Sequence, residues 1–228
     1  MSQNTLDDTK LRILEAAGAI FADRGFKEST VRDICQAAGA NLAAVNYHFG
    51  DKERLYIESV KLAHQLRVEQ FPAPTWPAGT PAEQKLRDFI FATLCRMIGR
   101  NERGWEFRLM LREITQPTGA CEELVRDYIR PHFELLQSIL AELLPASTPD
   151  IQRRRIGFSI IGQCLHYRVA EPILRWLLPP AEFEQNTPEQ LADHIACFTL
   201  AALGYGPPLV TASSDVAPPK FAAPENVA

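Results

Sequence analysis

The chain has 228 residues, of which 46% are hydrophobic and 23% charged, and its 24 basic against 28 acidic residues give a net charge of −4. This length allows one large domain or two smaller ones, and the hydrophobic content excludes a disordered chain. The negative charge excludes histone-like binding of nucleic acid through overall positive charge, although it leaves a local contact surface open.

The cysteines and the uncharged segments bear on the compartment. The five cysteines are dispersed, odd in number and without CxxC spacing, which argues against a disulfide framework or a zinc site. The first eight residues are polar and acidic, unlike a secretory signal. The uncharged run 194–214 contains two glycines and two prolines, so we expect a short helix and a loop there and not a membrane span. A cytoplasmic protein without membrane contact is therefore expected.

The N-terminal part is predicted to fold into four helices. Hydrophobic residues recur with the helical period, and no stretch of the chain shows the two-residue alternation of a strand, so the predicted class is all-α. Gly25, Gly39 and Gly50 are typical helix-terminating residues, and Thr30 and Asp51 are typical caps. The four helices are expected at about 8–23, 30–39, 42–49 and 51–70.

Two segments are expected to be non-helical. Residues 71–81 (FPAPTWPAGTP) contain four prolines, a density that no helix tolerates, and should form either a linker or a loop packed through Phe71 and Trp76. We interpret this segment as the boundary region between two sub-domains. The tail from residue 206 is rich in proline and small residues and is expected to be disordered.

The chain beyond the proline-rich segment is also predicted to be helical. Pro131 and Pro172 lie inside periodic stretches and should kink or split their helices. The helices are expected near 81–100, 102–115, 119–143, 149–178 and 187–203. Three of them begin at a pair in which threonine is the cap and proline follows: Thr80-Pro81, Thr148-Pro149 and Thr187-Pro188.

The second and third helices are predicted to form a helix-turn-helix. The tight turn 38–41 would set them across each other, with Asn41 capping the third helix. One face of that helix, with Val45, His48 and Phe49, suits packing against the first two helices. The opposite face suits a DNA major groove, because asparagine pairs with adenine and small apolar side chains contact the thymine methyl group. It carries Leu42, Ala43, Asn46 and Tyr47.

Further contacts with DNA are predicted beside this face. Arg32 could reach guanine or phosphate, while Thr30, Tyr47 and Lys52 are placed to bind phosphates, which fix the register of a protein on DNA. A plain three-helix bundle with a solvated surface is the alternative. Charge does not decide between them, because residues 1–70 hold nine basic and ten acidic side chains.

Residues of this region resemble the DNA-binding domain of the TetR family of transcriptional regulators. The motif spans about residues 10–60, and the combination of its spacings is highly specific. It consists of residues 13–17 (ILxAA), 21–26 (FAxxGF), 30–34 (TVxDI), 37–40 (AAGA) and 45–55 (VNYHFGDKExL).

The resemblance implies an all-helical homodimer with a helix-turn-helix domain at 1–52, a larger effector-binding and dimerisation domain at 53–205, and the tail at 206–228. Most members of the family repress transcription and release a palindromic operator when a small molecule binds. We therefore expect a ligand-responsive repressor with a small apolar or aromatic effector. The family positions for DNA contact correspond to Thr30, Arg32, Leu42, Ala43, Asn46, Tyr47, His48 and Lys52.

The turn before the third helix departs from the family pattern. Many members have Ser-Lys-Gly-Thr or a similar sequence where this chain has residues 41–44 (NLAA), so a phosphate-binding hydroxyl and a lysine are missing there. The version NLAAVNYHFG, together with the C-terminal half, is similar to the CecR-like branch of the family.

The C-terminal half contains one helix that is apolar almost all round. Residues 156–167 (IGFSIIGQCLHY) carry no charge, so this helix should be buried on more than one side. It would be a central core helix in a monomer, or part of an intersubunit four-helix bundle with the 187–203 helix in a TetR-like dimer. Polar or aromatic side chains on apolar faces are the candidates for effector contact, although each could be a core residue: Trp105, Arg108, Phe133, Gln163, His166 and Tyr167.

Enzyme signatures are weak. Gly157-x-Ser159 is not a nucleophile elbow, Cys164-x-His166 on one helix cannot direct both side chains at one metal, and no glycine loop could cradle a phosphate. No catalytic residue, metal ligand or cofactor is expected. Two alternatives to the ligand-responsive repressor stay open: a DNA-binding regulator without an effector, and a helical dimeric interaction protein that does not bind DNA.

Overall fold

The computed structural model describes residues 3–99 and 104–205. Every regular element in these ranges is helical, which confirms the predicted all-α class. The predicted tail from residue 206 lies outside the described residues. The helices are α1 (Gln3–Glu28), α2 (Val31–Ala38), α3 (Leu42–Phe49), α4 (Lys52–Gln70), α5 (Ala82–Ile98), α6 (Glu106–Thr115), α7 (Ala120–Leu124), α8 (Arg130–Leu143), α9 (Asp150–Val169), α10 (Glu171–Leu177), α11 (Pro180–Phe183) and α12 (Pro188–Ala202).

The caps of the N-terminal helices are those that the sequence predicts. The Thr30 hydroxyl accepts from the Asp33 amide at 3.1 Å, and the side-chain oxygen of Asn41 accepts from the Ala44 amide at 2.8 Å. The Asp51 carboxylate accepts from the Arg54 amide at 2.7 Å. Each cap satisfies a backbone N–H that has no partner inside its helix.

Two of the three Thr-Pro cap predictions are wrong. Thr187 accepts from the Gln190 amide at 3.3 Å, as expected. The Thr80 hydroxyl donates to the Pro77 carbonyl at 2.9 Å within the preceding turn, and α5 begins after Pro81 with no side-chain cap. Pro149 precedes α9 with no side-chain cap, so Thr148 does not cap that helix either.

Both internal prolines interrupt their helices as predicted. Residues Val125–Ile129 form a π-helical turn between α7 and α8, immediately before Arg130 and Pro131. The expected 149–178 helix is split at Ala170 into α9 and α10, with Pro172 in the first turn of α10. Proline lacks the N–H that would continue the helical ladder, and its ring clashes with the carbonyl four residues earlier.

The described residues pack into two hydrophobic cores. The first joins α1 to α4 and also takes side chains from α6 and α7, including Trp105, Leu109 and Leu124. The second joins α5, α8, α9 and α12. Residues 71–81 run between the cores as a packed loop, since Trp76 lies against the second core and donates to Asp88 at 2.9 Å. No described helix is long and apolar enough to cross a membrane.

Candidate functional site

The turn between α2 and α3 orients the candidate DNA-contact helix. Gly39 has the left-handed conformation (φ 58°, ψ 37°), and its N–H donates back to the Cys35 and Gln36 carbonyls. A side chain at this position would strain the backbone, so glycine permits the sharp turn. Beyond it, Val45 and Phe49 are buried in the first core, which fixes the rotation of α3 about its axis.

The face of α3 opposite the core is open to solvent. The side chains of Leu42 and Tyr47 are 57% and 76% exposed, and Ala43 and Asn46 are exposed beside them. Leu42 and Tyr47 thus present an apolar and a phenolic side chain to solvent on one face of α3. The structure therefore brings together the apolar and amide groups that can contact base edges.

The other predicted DNA contacts differ in accessibility. Thr30 and Arg32 are exposed at the start of α2, while His48 and Lys52 are half-buried. The Lys52 ammonium lies 4.6 Å from the centre of the Phe26 ring and 3.5 Å from the Lys27 carbonyl, which links the start of α4 to the end of α1.

Helix α6 contacts the N-terminal helices through polar side chains that the sequence analysis did not select. Arg112 donates to the Asp23 carbonyl at 2.9 Å, beside the point where Gly25 (φ 81°) interrupts α1. The Glu113 carboxylate is fully buried and accepts from the Tyr56 hydroxyl of α4 at 2.8 Å. It also accepts from the Thr118 amide at 2.7 Å. The bonds of Arg112 and of Tyr56 to Glu113 connect α6 to α1 and α4.

The six candidate effector residues are dispersed. Trp105 is buried in the first core, where its ring leaves no room for a Cβ at Gly18. Phe133 stacks on Phe158 with ring centroids 4.9 Å apart, and the Gln163 amide donates to Ser159 of its own helix at 3.3 Å.

The other three candidate effector residues differ in burial, and neither cleft described below contains them. Arg108 and His166 are exposed, and burial raises the pKa of Tyr167. Neither of two clefts, of about 490 and 180 Å³, is lined by any of the six residues.

Four basic side chains meet in the interior beneath α4. Arg67 is only 4% exposed, and its guanidinium donates to the Cys95 and Arg96 carbonyls at 3.0 and 2.8 Å, at the C-terminal end of α5. Arg96 contacts the Nδ1 atom of His132 at 3.0 Å. Burial, followed by the charge of Arg96, lowers the pKa of His132 to about 3 and that of His64 to about 4. Both imidazoles are therefore neutral near pH 7.

No group of histidine, cysteine, aspartate and glutamate among the described residues could hold a metal ion.

Two family models match the chain. The one described as "Bacterial regulatory proteins, tetR family" matches residues 13–58, and the one described as "HTH-type transcriptional dual regulator CecR, C-terminal domain" matches residues 82–203. The chain is 22% identical over 200 residues to the HTH-type transcriptional dual regulator CecR of Shigella flexneri, covering 84% of this chain and 89% of the relative. It is 40% identical over 50 residues to the repressor AcnR of Corynebacterium efficiens, covering 22% and 27%.

Solved structures share the fold. A tetR-family regulatory protein from Rhodococcus RHA1 matches with a TM-score of 0.64 and 17% identity, covering 91% of this chain and all of that one. AibR in complex with isovaleryl coenzyme A and operator DNA matches with a TM-score of 0.58 and 20% identity, covering 82% and 96%.

Proposed function

The chain belongs to the TetR family of transcriptional regulators, on its CecR-like branch, and from this premise we propose that it binds a palindromic operator as a homodimer and releases it when a small effector binds. Membership of the family makes it a DNA-binding regulator and not an enzyme, as the sequence predicted. Residues 1–52 would contact the operator, and residues 53–205 would bind the effector and form the dimer.

The proposal that the chain recognises DNA rests on the solvent exposure of one face of α3. Leu42, Ala43 and Asn46 would contact base edges, with Asn46 pairing to adenine. Thr30, Arg32, Tyr47, His48 and Lys52 would complete the contacts, mainly to phosphates. Because the NLAA turn lacks the family's hydroxyl and lysine, we expect operator affinity to depend strongly on Asn46 and Tyr47.

The exposure of α9 and α12 supports the homodimer. In the single chain α9 buries only the side that holds Gly157, Ile160 and Cys164, while Phe158 on its other side is 62% exposed. On α12, Phe198 is 47% exposed. A two-fold partner that packs on these faces would remove this apolar surface from water. The arrangement favours the four-helix bundle over a central core helix of a monomer.

The path of α4 supports effector-dependent release. This helix begins at Lys52, directly after the DNA-contact helix, and ends at Gln70, where Arg67 contacts the C-terminal end of α5. An effector that favours a dimer conformation with shifted α4 helices would separate the two DNA-contact helices. Two-fold half-sites lie about one helical turn, roughly 34 Å, or a multiple apart, so separation lowers affinity.

One solved structure of this fold supports the presence of an effector region. AibR, a structure of this fold, has been solved with isovaleryl coenzyme A and operator DNA together. Trp105, Arg108, Phe133, Gln163, His166 and Tyr167 remain our candidate contacts, for an effector with apolar or aromatic character.

Operator binding tests the proposal. Fluorescence anisotropy with DNA from upstream of the chain's own gene, at stated salt and with nonspecific competitor, should give saturable binding to one palindromic site. Asn46→Ala and Tyr47→Ala should abolish it without changing the dimer, whereas Gln152→Ala, an exposed residue of α9, should bind like wild type.

Three results would contradict parts of this account. If the wild-type chain forms a dimer but prefers no DNA sequence, even after selection from a pool of random sequences, the helical interaction protein is the better description. Binding to the operator that no compound weakens would favour the regulator without an effector. A monomeric protein would refute the assembly.

A further inference from the structure

We propose that a basic cluster, formed by the buried Arg67 of α4 with the half-buried Arg96 of α5 and Arg168 of α9, binds the carboxylate group of a small effector in the cleft that Arg67 and Arg168 line. This inference rests on the proposed ligand-responsive function and specifies the chemical class of the ligand and its place in the fold.

The charges of the cluster are incompletely balanced in the described part of the chain. Arg67 donates to backbone carbonyls, and Arg96 donates to the Phe71 carbonyl at 2.7 Å and contacts the neutral His132. Burial lowers the pKa of both arginines, an indication that their charged forms are poorly solvated. Carbonyl partners satisfy the N–H donors but do not cancel the charge.

Among the described residues, one carboxylate acts on Arg67 and another on Arg168. The charge of Glu106, which is buried, raises the pKa of Arg67 and so opposes the effect of burial. Glu171 pairs with Arg168 at the end of α9. Counted over residues 3–99 and 104–205, the three arginines therefore exceed these two acidic side chains by one positive charge, and an anionic group would remove the excess.

Unpartnered nitrogens lie in the same region. The Nε atom of Arg168 is buried without a hydrogen-bond partner. The Nδ1 atom of His64, one helical turn before Arg67, is also buried and unpartnered. A buried polar atom without a partner is destabilising, so such atoms are uncommon unless something else satisfies them. A carboxylate would accept a hydrogen bond from Arg168 Nε.

A cleft beside Arg67 and Arg168 has room for a small molecule. Its volume is about 180 Å³, roughly six times the 30 Å³ that one water molecule occupies in the liquid. Met97, Ile98 and Phe107 provide apolar walls, and the Arg168 guanidinium lies 4.8 Å from the centre of the Phe107 ring. Glu106 also lines the cleft, so its described walls hold two positive charges, from Arg67 and Arg168, against one negative charge. This excess of positive charge beside apolar walls fits a carboxylate that carries a short hydrocarbon or aromatic group.

The position of the cluster gives binding a consequence for DNA. Arg67 belongs to the helix that follows the DNA-contact helix, and Arg168 belongs to the helix that carries the proposed dimer face. A carboxylate held between them would tie α4 to α9. Ligand binding would then set the position of α4 relative to the dimer axis.

Ligand titration of the full chain tests the site. Benzoate and octanoate are the probes, and benzamide is the uncharged analogue of benzoate, all at matched ionic strength. We expect both carboxylates to quench or shift tryptophan fluorescence saturably and to raise the melting temperature, with no saturable effect of benzamide. Equal binding of benzamide and benzoate, or no binding of either carboxylate, would overturn the proposal. A response to inorganic phosphate alone would overturn the assignment to a carboxylate.

A matched pair of arginine variants locates the response. Arg168 and Arg175 both pair with Glu171, but only Arg168 lines the cleft. Arg168→Gln should weaken benzoate binding at least about tenfold, the scale of one charge-assisted hydrogen bond, while Arg175→Gln should leave it unchanged. The same dissociation constant for both variants would place any carboxylate site elsewhere and refute the assignment.

Operator binding without ligand separates this inference from the regulator proposal. If the wild-type chain binds its operator but no carboxylate, only the cluster assignment fails. If it binds carboxylates as described but no DNA, the cluster assignment stands and the operator proposal fails.

Discussion

Removal of the Tyr56 hydroxyl should measure the strength of the buried link between α4 and α6. The phenol donates at 2.8 Å to Glu113, whose side chain is fully buried. Burial, and then this hydrogen bond, raises the pKa of Tyr56, so the phenol keeps its proton and remains a donor. Tyr56→Phe keeps the ring, its edge contact with Phe21 at 4.9 Å and nearly all of the packing.

The expected loss follows from the partners that remain. Glu113 keeps the Thr118 amide and hydroxyl, so it does not become an isolated buried carboxylate. One hydrogen bond to a charged group contributes about 1.5–3 kcal/mol. In a chain of this size each kcal/mol shifts the melting temperature by about 2–4 °C, so Tyr56→Phe should lower it by roughly 3–12 °C.

The assay is thermal denaturation for the melting temperature and urea denaturation for the free energy of unfolding, both followed by circular dichroism, with Tyr47→Phe as the matched control. Tyr47 is 76% exposed, so the loss of its hydroxyl should change the free energy of unfolding by less than about 0.5 kcal/mol. Thr118→Val completes a double-mutant cycle, and a non-zero coupling energy is expected because both hydroxyls serve one carboxylate. Equal unfolding midpoints for Tyr56→Phe and wild type would refute this reasoning.

Two further predictions concern glycine positions and acid. Gly25→Ala should lower the free energy of unfolding in urea more than Gly39→Ala. Both glycines have positive φ, which costs alanine about 1 kcal/mol or more, but only at Gly25 would the added Cβ also lie 2.8 Å from Arg112 Nη1. Equal losses for the two variants would show that this contact relaxes freely. Since the folded-state pKa values of His64 and His132 are lowered to about 4 and 3, the unfolded chain binds protons first, and stability should fall as pH drops from about 6.5 towards 4. His64→Phe should make that fall shallower by up to about 1.4 kcal/mol per pH unit, and an unchanged slope in urea titrations would contradict the assigned pKa shift.

The helix-turn-helix could be predicted because its determinants are local. Thr30 and Asn41 bond to amides three residues away, and Gly39 ends a helix through its own backbone conformation. The same local argument was wrong at Thr80, because α5 begins one residue later, after Pro81, and the Thr80 hydroxyl belongs to the preceding turn, where it donates to the Pro77 carbonyl. A Thr-Pro pair therefore predicts a helix start but does not fix which of its two residues is the cap.

The interior polar groups could not be predicted in the same way. Glu113 meets Tyr56 across 57 residues of chain, and Arg67 meets Cys95 across 28. Helical periodicity identifies an apolar face but not the element that covers it. For that reason Trp105 was an effector candidate on sequence grounds, although the structure places it in the first core against Gly18.

The composition of the first core limits how freely this protein can be divided or recombined. The core around Phe21 and Tyr56 is completed by side chains from α6, from α7 and from the residue before α6: Leu109, Leu124 and Trp105. A fragment that ends at residue 70 would expose the part of the first core that α6 and α7 cover, so it should not fold stably by itself. A chimera that transplants the operator specificity of this chain onto another regulator would have to carry α6 and α7 with it, or rebuild their apolar contacts on the recipient.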